Sequence, residues 1–352
     1  MILYNDILAT VGNTPIVKIN KLPANAKRKN IFAKLEFFNP GKSIKDRIAL
    51  NIINQAEKDS LIKKNTTIME SSSGNTGIGL SMVCRVRGYK NIIVIDQNCP
   101  AEKIKLLKAL GAKILMIATE KKDSEDLTER RIEFINKSVE MIENLFIPNQ
   151  YENTNAPLAH YLYTGQEIID FIEDTSIKFQ AIFISVGTGG SITGISKRIK
   201  EYDSSIKIIG VEPQGSTLFG GEKGPYFQQG PGNYFKPKNL IYDNIDMGVK
   251  VADAEAFNMC RRIAFEEGIL LGGSSGGVMH KAVEMCSDFD GNILCVLPDG
   301  GEKYLDSVYS DTWLSERGIT IEKQYSNEIK IINIDGVEDY TGLVNELKGD
   351  VF

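Results

Sequence analysis

The sequence predicts an α/β protein made of two doubly wound blocks, each a parallel sheet wrapped by helices, with a cleft between them. Three observations carry this. Apolar strand-like runs alternate with helix-like runs from about residue 31 to residue 297. Several of the strand runs are apolar almost throughout, as in a sheet covered on both faces. Two of them end in Gly/Ser/Thr-rich turns that open directly into a helix-like run, Ser71-Ser-Ser-Gly-Asn-Thr-Gly77 and Gly187-Thr-Gly-Gly-Ser191. Alternation of this kind selects parallel sheets with right-handed crossovers.

Taken in order, the first block has strands at Ile31–Glu36, Thr67–Met69, Asn91–Asp96 and Lys113–Ile117. Its helices are Gly77–Arg87 and Pro100–Leu110. A long mixed-charge amphipathic helix follows over Glu125–Leu145, its charges reading as a solvated face. The second block has helices at Thr164–Ile172, Ser191–Tyr202, Ala254–Glu267 and Gly276–Cys286, and strands at Ala181–Val186, Ile206–Val211 and Asn292–Leu297. Between two of these lies Gln214–Pro237, rich in Gly and Pro but carrying Phe219, Tyr226, Phe227, Tyr234 and Phe235. A long aperiodic loop with that many aromatics reads as a functional wall rather than a disordered linker. In the tail, Asn327–Ile334 alternates like a strand and Val337–Leu347 like a short helix.

The chemistry centres on Lys45, in Asn39-Pro-Gly-Lys-Ser-Ile-Lys-Asp-Arg47. A lysine beside a Gly-Pro turn is ordinarily a solvated surface residue, and a Ser-rich Gly loop is ordinarily a turn. Their combination is more specific. Helix N-termini with close-approaching glycines bind anions, and a lysine amine forms a Schiff base with a carbonyl cofactor. Gly187, Thr188, Gly189, Gly190 and Ser191 supply a phosphate cradle. Ser72, Ser73, Asn75 and Thr76 supply a second nest, suited to an amino acid's α-carboxylate. This is the equipment for pyridoxal phosphate. A dinucleotide site fails on spacing, because Ile192 stands where the last glycine of GxGxxG belongs.

Over about Ile7–Leu314 the chain resembles the fold-type II pyridoxal-phosphate enzymes of the cysteine synthase and cystathionine beta-synthase group. The stretches that carry this are Val11–Pro15, Lys34–Glu36, Asn39–Arg47, Ser72–Gly79, Leu107–Ala112, Gly187–Gly194, Gly272–Gly277 and Leu297–Leu305. Val94–Pro100 and Tyr304–Leu314 are more similar to the siderophore-pathway branch, which makes N-(2-amino-2-carboxyethyl)-L-glutamate from O-phosphoserine and glutamate. The resemblance implies a small mobile domain at 41–152, a large cofactor domain from 1–40 plus 153–318, and an extension at 319–352. It further implies that Asn75 bonds the cofactor's phenolic oxygen, that Gln150 joins the carboxylate nest, and that Ser274 faces the pyridine nitrogen. A neutral hydroxyl there suits β-elimination through an aminoacrylate. The implied reaction is β-replacement on an O-activated serine, with sulfide or an amino acid such as glutamate as nucleophile. A cysteine or serine β-lyase and a catalytically silent cofactor-binding protein are the alternatives.

Bulk composition sets outer bounds. The chain has 352 residues, 42% hydrophobic and 25% charged, with a formal net charge of −5, which argues against nucleic acid as a partner. No apolar run approaches the ~18 residues of a membrane span, and the N-terminus lacks the pattern of a signal peptide. Five widely spaced cysteines, with no CxxC, point to reduced thiols in a cytoplasm. Cys84, Cys260 and Cys295 read as core, and Cys99 as a thiol at a strand end near the cleft. Two histidines are too few for most metal sites, so no metal is expected. The expected partners are amino-acid substrates and, by resemblance, a second copy in a homodimer.

Lys45 yields the first prediction. The purified protein is expected to be yellow from a lysine imine, and Lys45→Ala is expected to abolish both the colour and the cofactor fixed covalently by borohydride. Fixation to a different lysine would overturn the assignment.

Overall fold

A computed structural model describes residues 3–22, 30–119 and 127–322. Its strands, in chain order, are β1 (Ile16–Ile19), β2 (Ile31–Leu35), β3 (Thr67–Ser71), β4 (Lys90–Asp96), β5 (Lys113–Ile117), β6 (Leu145–Phe146), β7 (Phe179–Ser185), β8 (Lys207–Pro213), β9 (Met247–Val251) and β10 (Asn292–Leu297). The α-helices are α1 (Lys45–Lys58), α2 (Asn75–Arg87), α3 (Ala101–Ala109), α4 (Leu127–Ser138), α5 (Asn155–Ala159), α6 (Gly165–Thr175), α7 (Gly190–Tyr202), α8 (Asp253–Glu267), α9 (Gly273–Glu284) and α10 (Asp311–Ser315). No helix among the described residues is long and apolar enough to cross a membrane.

The strands form two sheets, as the alternation predicts. One has six strands in the order β1-β2-β10-β7-β8-β9, and the other has four in the order β5-β4-β3-β6. All neighbours are parallel except β1, which runs antiparallel to β2 at the edge of the larger sheet. The larger sheet is covered on both faces. Along β7, Ala181 and Phe183 join one core, with Phe257 of α8 and Val278 and Met279 of α9. Ile182 and Ile184 join the other, with Ile168 and Ile169 of α6 and Ile195 and Ile199 of α7. A two-residue alternation with both faces apolar explains why the strand reads as a continuous apolar run.

The structure differs from the sequence reading in several places, among them the 14-residue helix α1, which the sequence reading did not give. The expected helix over Glu125–Leu145 ends at Ser138. Asn144 takes a left-handed φ of 55°, and Leu145-Phe146 pairs with Thr67-Ile68 as β6. Val139, Ile142 and Leu145 keep an apolar spacing of three, which a helix and a folded-back loop both satisfy. The charges of α4 are not all solvated either, because Arg131 is buried. β1, β9, α5 and the π-helical turn His160–Thr164 are too short to show a period. The tail expectations for Asn327–Ile334 and Val337–Leu347, and the Lys27-Arg28-Lys29 cluster, lie outside the described residues.

One buried ionic network joins the elements around Lys45. The Arg47 guanidinium, one turn into α1, donates to both oxygens of Glu36 at 2.6 and 2.9 Å and to both of Glu167 at 2.6 and 2.7 Å. Lys34 Nζ adds a bond to Glu167 at 2.7 Å, and Thr14 Oγ1 donates to Glu36 at 2.7 Å. Arg47, Glu36 and Lys34 are almost wholly shielded from solvent. The neighbouring cations hold the Glu167 carboxyl down at about 2 even though burial opposes this. Residues from β2, α1, α6 and the N-terminal loop are thus fixed at one point.

Arg47→Ala would strand two carboxylates. Removing one side of a buried ion pair costs about 3–5 kcal/mol. Urea denaturation of that variant is expected to show a loss of that order, and a loss below about 1 kcal/mol would show that the network does not hold α1 in place.

Candidate active site

Lys45 is the first residue of α1, and the chain ahead of it is pinned to the other sheet. The Ile44 N–H donates to Pro298 O at 2.8 Å, and Ser43 and Asp299 form an isolated antiparallel bridge. The Gly41 N–H donates to the buried Asp46 carboxylate at 2.6 Å, and a side chain on Gly41 would collide with that carboxylate at 2.4 Å. The turn therefore needs glycine. Lys45 Nζ lies 3.3 Å from Thr188 Oγ1. Desolvation lowers the lysine's pKa to about 8, with Asp299 opposing the shift.

The carboxylate nest forms where β3 runs into α2. Ser72 Oγ accepts the amides of Gly74 and Gly77 at 3.2 and 3.0 Å. Thr76 Oγ1 donates to Gln150 Oε1 at 2.5 Å, and Gln150 Nε2 donates to Ser71 O at 3.3 Å, so the two expected partners touch. Asn75 is held at both ends of its amide: Nδ2 donates to Asp299 at 2.8 Å and Oδ1 accepts from Lys303 at 2.6 Å. Ser73 is tied to an ion pair. Its hydroxyl donates to Asp96 at 3.0 Å and accepts from Arg131 at 2.9 Å, beside an Arg131–Asp96 ion pair at 3.2 Å.

The second nest forms where β7 runs into α7. Gly189 caps the helix with a φ of 84°, and a Cβ there would lie 2.6 Å from Leu240 backbone atoms. At Gly187 a Cβ would meet Gly230 O at 2.2 Å. Both positions therefore exclude any larger residue. Gly190 and Ser191 begin the helix, whose first turn holds no acidic residue. Its leading amides have no intrahelical partners, so an anion is welcome there.

Lys45, Ser72, Ser73, Asn75, Thr76, Gln150 and Thr188 line one cavity of about 860 Å³. The loop over Lys223–Gly230 and Tyr234 forms another part of its wall, as the aromatic content suggested. Ser274 does not line the cavity. It is buried in the first turn of α9, next to Ser275, whose hydroxyl donates to Asp299 O at 2.8 Å. The cysteines are all free, and burial pushes the Cys99 thiol up to about 11, which leaves it without thiolate character at neutral pH. Sequence reasoning missed Asp96, Lys103, Arg131, Asp299, Lys303 and Tyr304. The stretch Leu297–Leu305 was recognisable, and Asp299 sits there against Asn75 and Tyr304. Arg131 carried no signal, because it looks like any other charge on an amphipathic helix.

These residues fit pyridoxal phosphate on three counts: an amine of lowered basicity, a glycine cradle at a helix start, and Asn75 and Thr188 on the same cavity. Fold and site together define an enzyme of the kind that uses this cofactor. The chain belongs to the pyridoxal-phosphate dependent enzyme family, whose model matches residues 7–299, and it is of the cysteine synthase type. It is 39% identical over 307 residues to a probable cysteine synthase of Bacillus subtilis, covering 86% of this chain and 96% of that one. It is 42% identical over 321 residues to the cystathionine beta-synthase of Apis mellifera, covering 89% of this chain but only 63% of that protein's length. Among solved structures, a hydrogen sulfide-producing enzyme from Fusobacterium nucleatum matches at 38% identity with a TM-score of 0.80, covering 86% of this chain and 100% of that one.

The lowered basicity of Lys45 has a measurable sign. The neutral amine is the form that attacks an aldehyde, and it prevails above about pH 8 rather than above the ordinary 10.5. Covalent capture of the cofactor by cofactor-free protein, fixed with borohydride, is expected to accelerate as pH rises to about 8 and then level off. Acceleration continuing toward pH 10 would show that Lys45 keeps an ordinary lysine pKa.

Proposed function

We propose that the enzyme catalyses β-replacement on an O-activated L-serine. The observation that carries this is that Lys45, Thr188 of the Gly187–Ser191 turn, and the Ser72–Thr76 turn with Gln150 line a single cavity. The nest at the start of α7, Gly187–Ser191, takes the cofactor phosphate. The nest at the start of α2, with Ser72, Ser73, Asn75, Thr76 and Gln150, takes the donor's α-carboxylate. Asn75 takes the cofactor's phenolic oxygen, and Ser274 is assigned to its ring nitrogen from the first turn of α9. A catalytically silent protein would not need this arrangement.

Bound pyridoxal phosphate supplies an electron sink that makes the donor's Cα–H acidic. Lys45 Nζ removes that proton, the bond from Cβ to the activated oxygen breaks, and an acceptor nucleophile adds at Cβ. Lys45 then returns the proton to Cα. Residues 41–152, with the four-stranded sheet, act as the smaller unit that closes on the donor's carboxylate and keeps water off the site. O-acetylserine and O-phosphoserine are the candidate donors. Sulfide, a thiol amino acid and glutamate are the candidate acceptors, the first two because of the names carried by the relatives. A homodimer is assigned by the family resemblance, and a cytoplasmic location by the five widely spaced cysteines.

The test mixes holoenzyme with each donor, alone and with each acceptor, and identifies products by mass spectrometry. A new amino acid appearing only with an acceptor is expected. Pyruvate formed at an undiminished rate with every acceptor present would overturn the reading in favour of a β-lyase.

A further inference from the structure

Four cationic side chains line the cavity: Lys45, Lys103, Arg131 and Lys223. Lys45 is the attachment residue. Arg131 is paired with Asp96 at 3.2 Å. Lys223 is exposed, with its ammonium over the Tyr234 ring at 4.3 Å. Lys103, on α3, is different. It is 3% exposed, and no carboxylate of the described residues lies within 4.0 Å of its Nζ. Its neighbours are Gln229 Oε1 at 2.5 Å and the Tyr304 ring, whose centroid is 5.1 Å away. Among the described residues this one neutral acceptor leaves two of three ammonium protons without an oxygen.

Buried charges are ordinarily paired. A buried ammonium on a cavity wall without its counter-ion calls for an anion from the ligand. Desolvation lowers the pKa of Lys103 to about 8 although Asp299 opposes the shift, and an anion bound directly to the amine would reverse it. The two nests already account for the cofactor phosphate and the donor's α-carboxylate. Gln229 belongs to the aromatic loop, which also brings Lys223, Tyr226 and Gly230 to the cavity. Lys103 therefore reaches across the cavity from α3 to that loop, at a third place where a negative group is wanted.

Resting on the β-replacement reading, we propose that Lys103 is a specificity-determining residue that binds a carboxylate of the second substrate, so that the preferred acceptor is a carboxylate-bearing nucleophile. Charge-assisted hydrogen bonds of this kind contribute about 1.5–3 kcal/mol, or roughly ten- to a hundredfold in affinity.

Calorimetry on the holoenzyme gives a readout independent of turnover, with glutarate as a dicarboxylate lacking an amine and butyrate as its monocarboxylate control. Wild-type protein is expected to favour glutarate about tenfold or more. Lys103→Met is expected to lose that preference and Lys103→Arg to keep it. In kinetics, Lys103→Met is expected to raise KM for glutamate or homocysteine about tenfold while KM for sulfide and the donor-only step stay unchanged. Equal affinity of the wild type for glutarate and butyrate would overturn the proposal, as would a glutarate preference that survives in Lys103→Met. A donor-only step slowed in Lys103→Met would also overturn it, by assigning the lysine to the leaving group. Pyruvate as the only product of the wild type with every acceptor would instead defeat the β-replacement reading, with the glutarate comparison still judging Lys103.

Discussion

The Arg47 guanidinium, clamped between Glu36 and Glu167, is the interaction on which the site's geometry depends. Arg47 lies two residues past Lys45 on α1, Glu36 follows the strand β2, and Glu167 lies on α6. Burying one cation between two anions fixes the rotation of α1 about its axis, because a guanidinium bonds carboxylates in a planar fork. A lysine there or a single carboxylate would leave the helix free to turn. The network is placed beside Lys45 rather than at the centre of either hydrophobic core, so it acts on orientation more than on cohesion. Its partner on the other flank is the Gly41–Asp46 contact, which shapes the turn feeding into the helix.

Asp299 does comparable work across the gap between the sheets. It follows β10 in the larger sheet, pairs through its backbone with Ser43, and bonds Asn75 at the start of α2 and Tyr304 through its carboxylate. Lys303 bonds the other end of the Asn75 amide. The small sheet's nest is therefore held by residues from the larger sheet's far end. One of the Asp299 oxygens, Oδ1, is buried with no hydrogen-bond partner among the described residues. A buried carboxylate with spare acceptor capacity favours nearby positive charge, and Asp299 raises the pKa of Lys45, Lys103 and Lys303 alike, against their desolvation.

The legible parts of the sequence were those governed by local rules. Strand runs with both faces apolar, such as Ala181–Val186, and helix starts at glycine-rich turns follow from neighbours in the chain. They located both sheets and both nests. Lys45 was legible because the turn before it is chemically unusual. What was illegible depends on contacts distant in sequence. Arg131 is indistinguishable from a solvated charge until Asp96 and Ser73 are brought against it. Lys103, at the start of an ordinary amphipathic helix, becomes a cavity residue only when the Gln229 loop folds over it. Ser73 shows the converse: its motif suggested a carboxylate contact, yet its hydroxyl is engaged by a neighbouring ion pair.

The cavity's electrostatics also respond to what enters it. Two helix N-termini and several ammonium groups make it attractive to anions, while burial keeps Lys45 and Lys103 from holding their protons at full strength. These effects are coupled. Each anion that enters offsets part of the desolvation and raises the basicity of the lysines near it. With pKa values lowered to about 8, Lys45 and Lys103 still carry their protons for the most part at neutral pH, and an anion arriving beside either amine makes it hold that proton more firmly. A site with the same lysines already paired to protein carboxylates would lose that response, because its amines would start nearer their ordinary basicity and change little on binding. Among the described residues no carboxylate lies within 4.0 Å of Lys103 Nζ, so an anion entering the cavity meets an ammonium whose basicity it can restore.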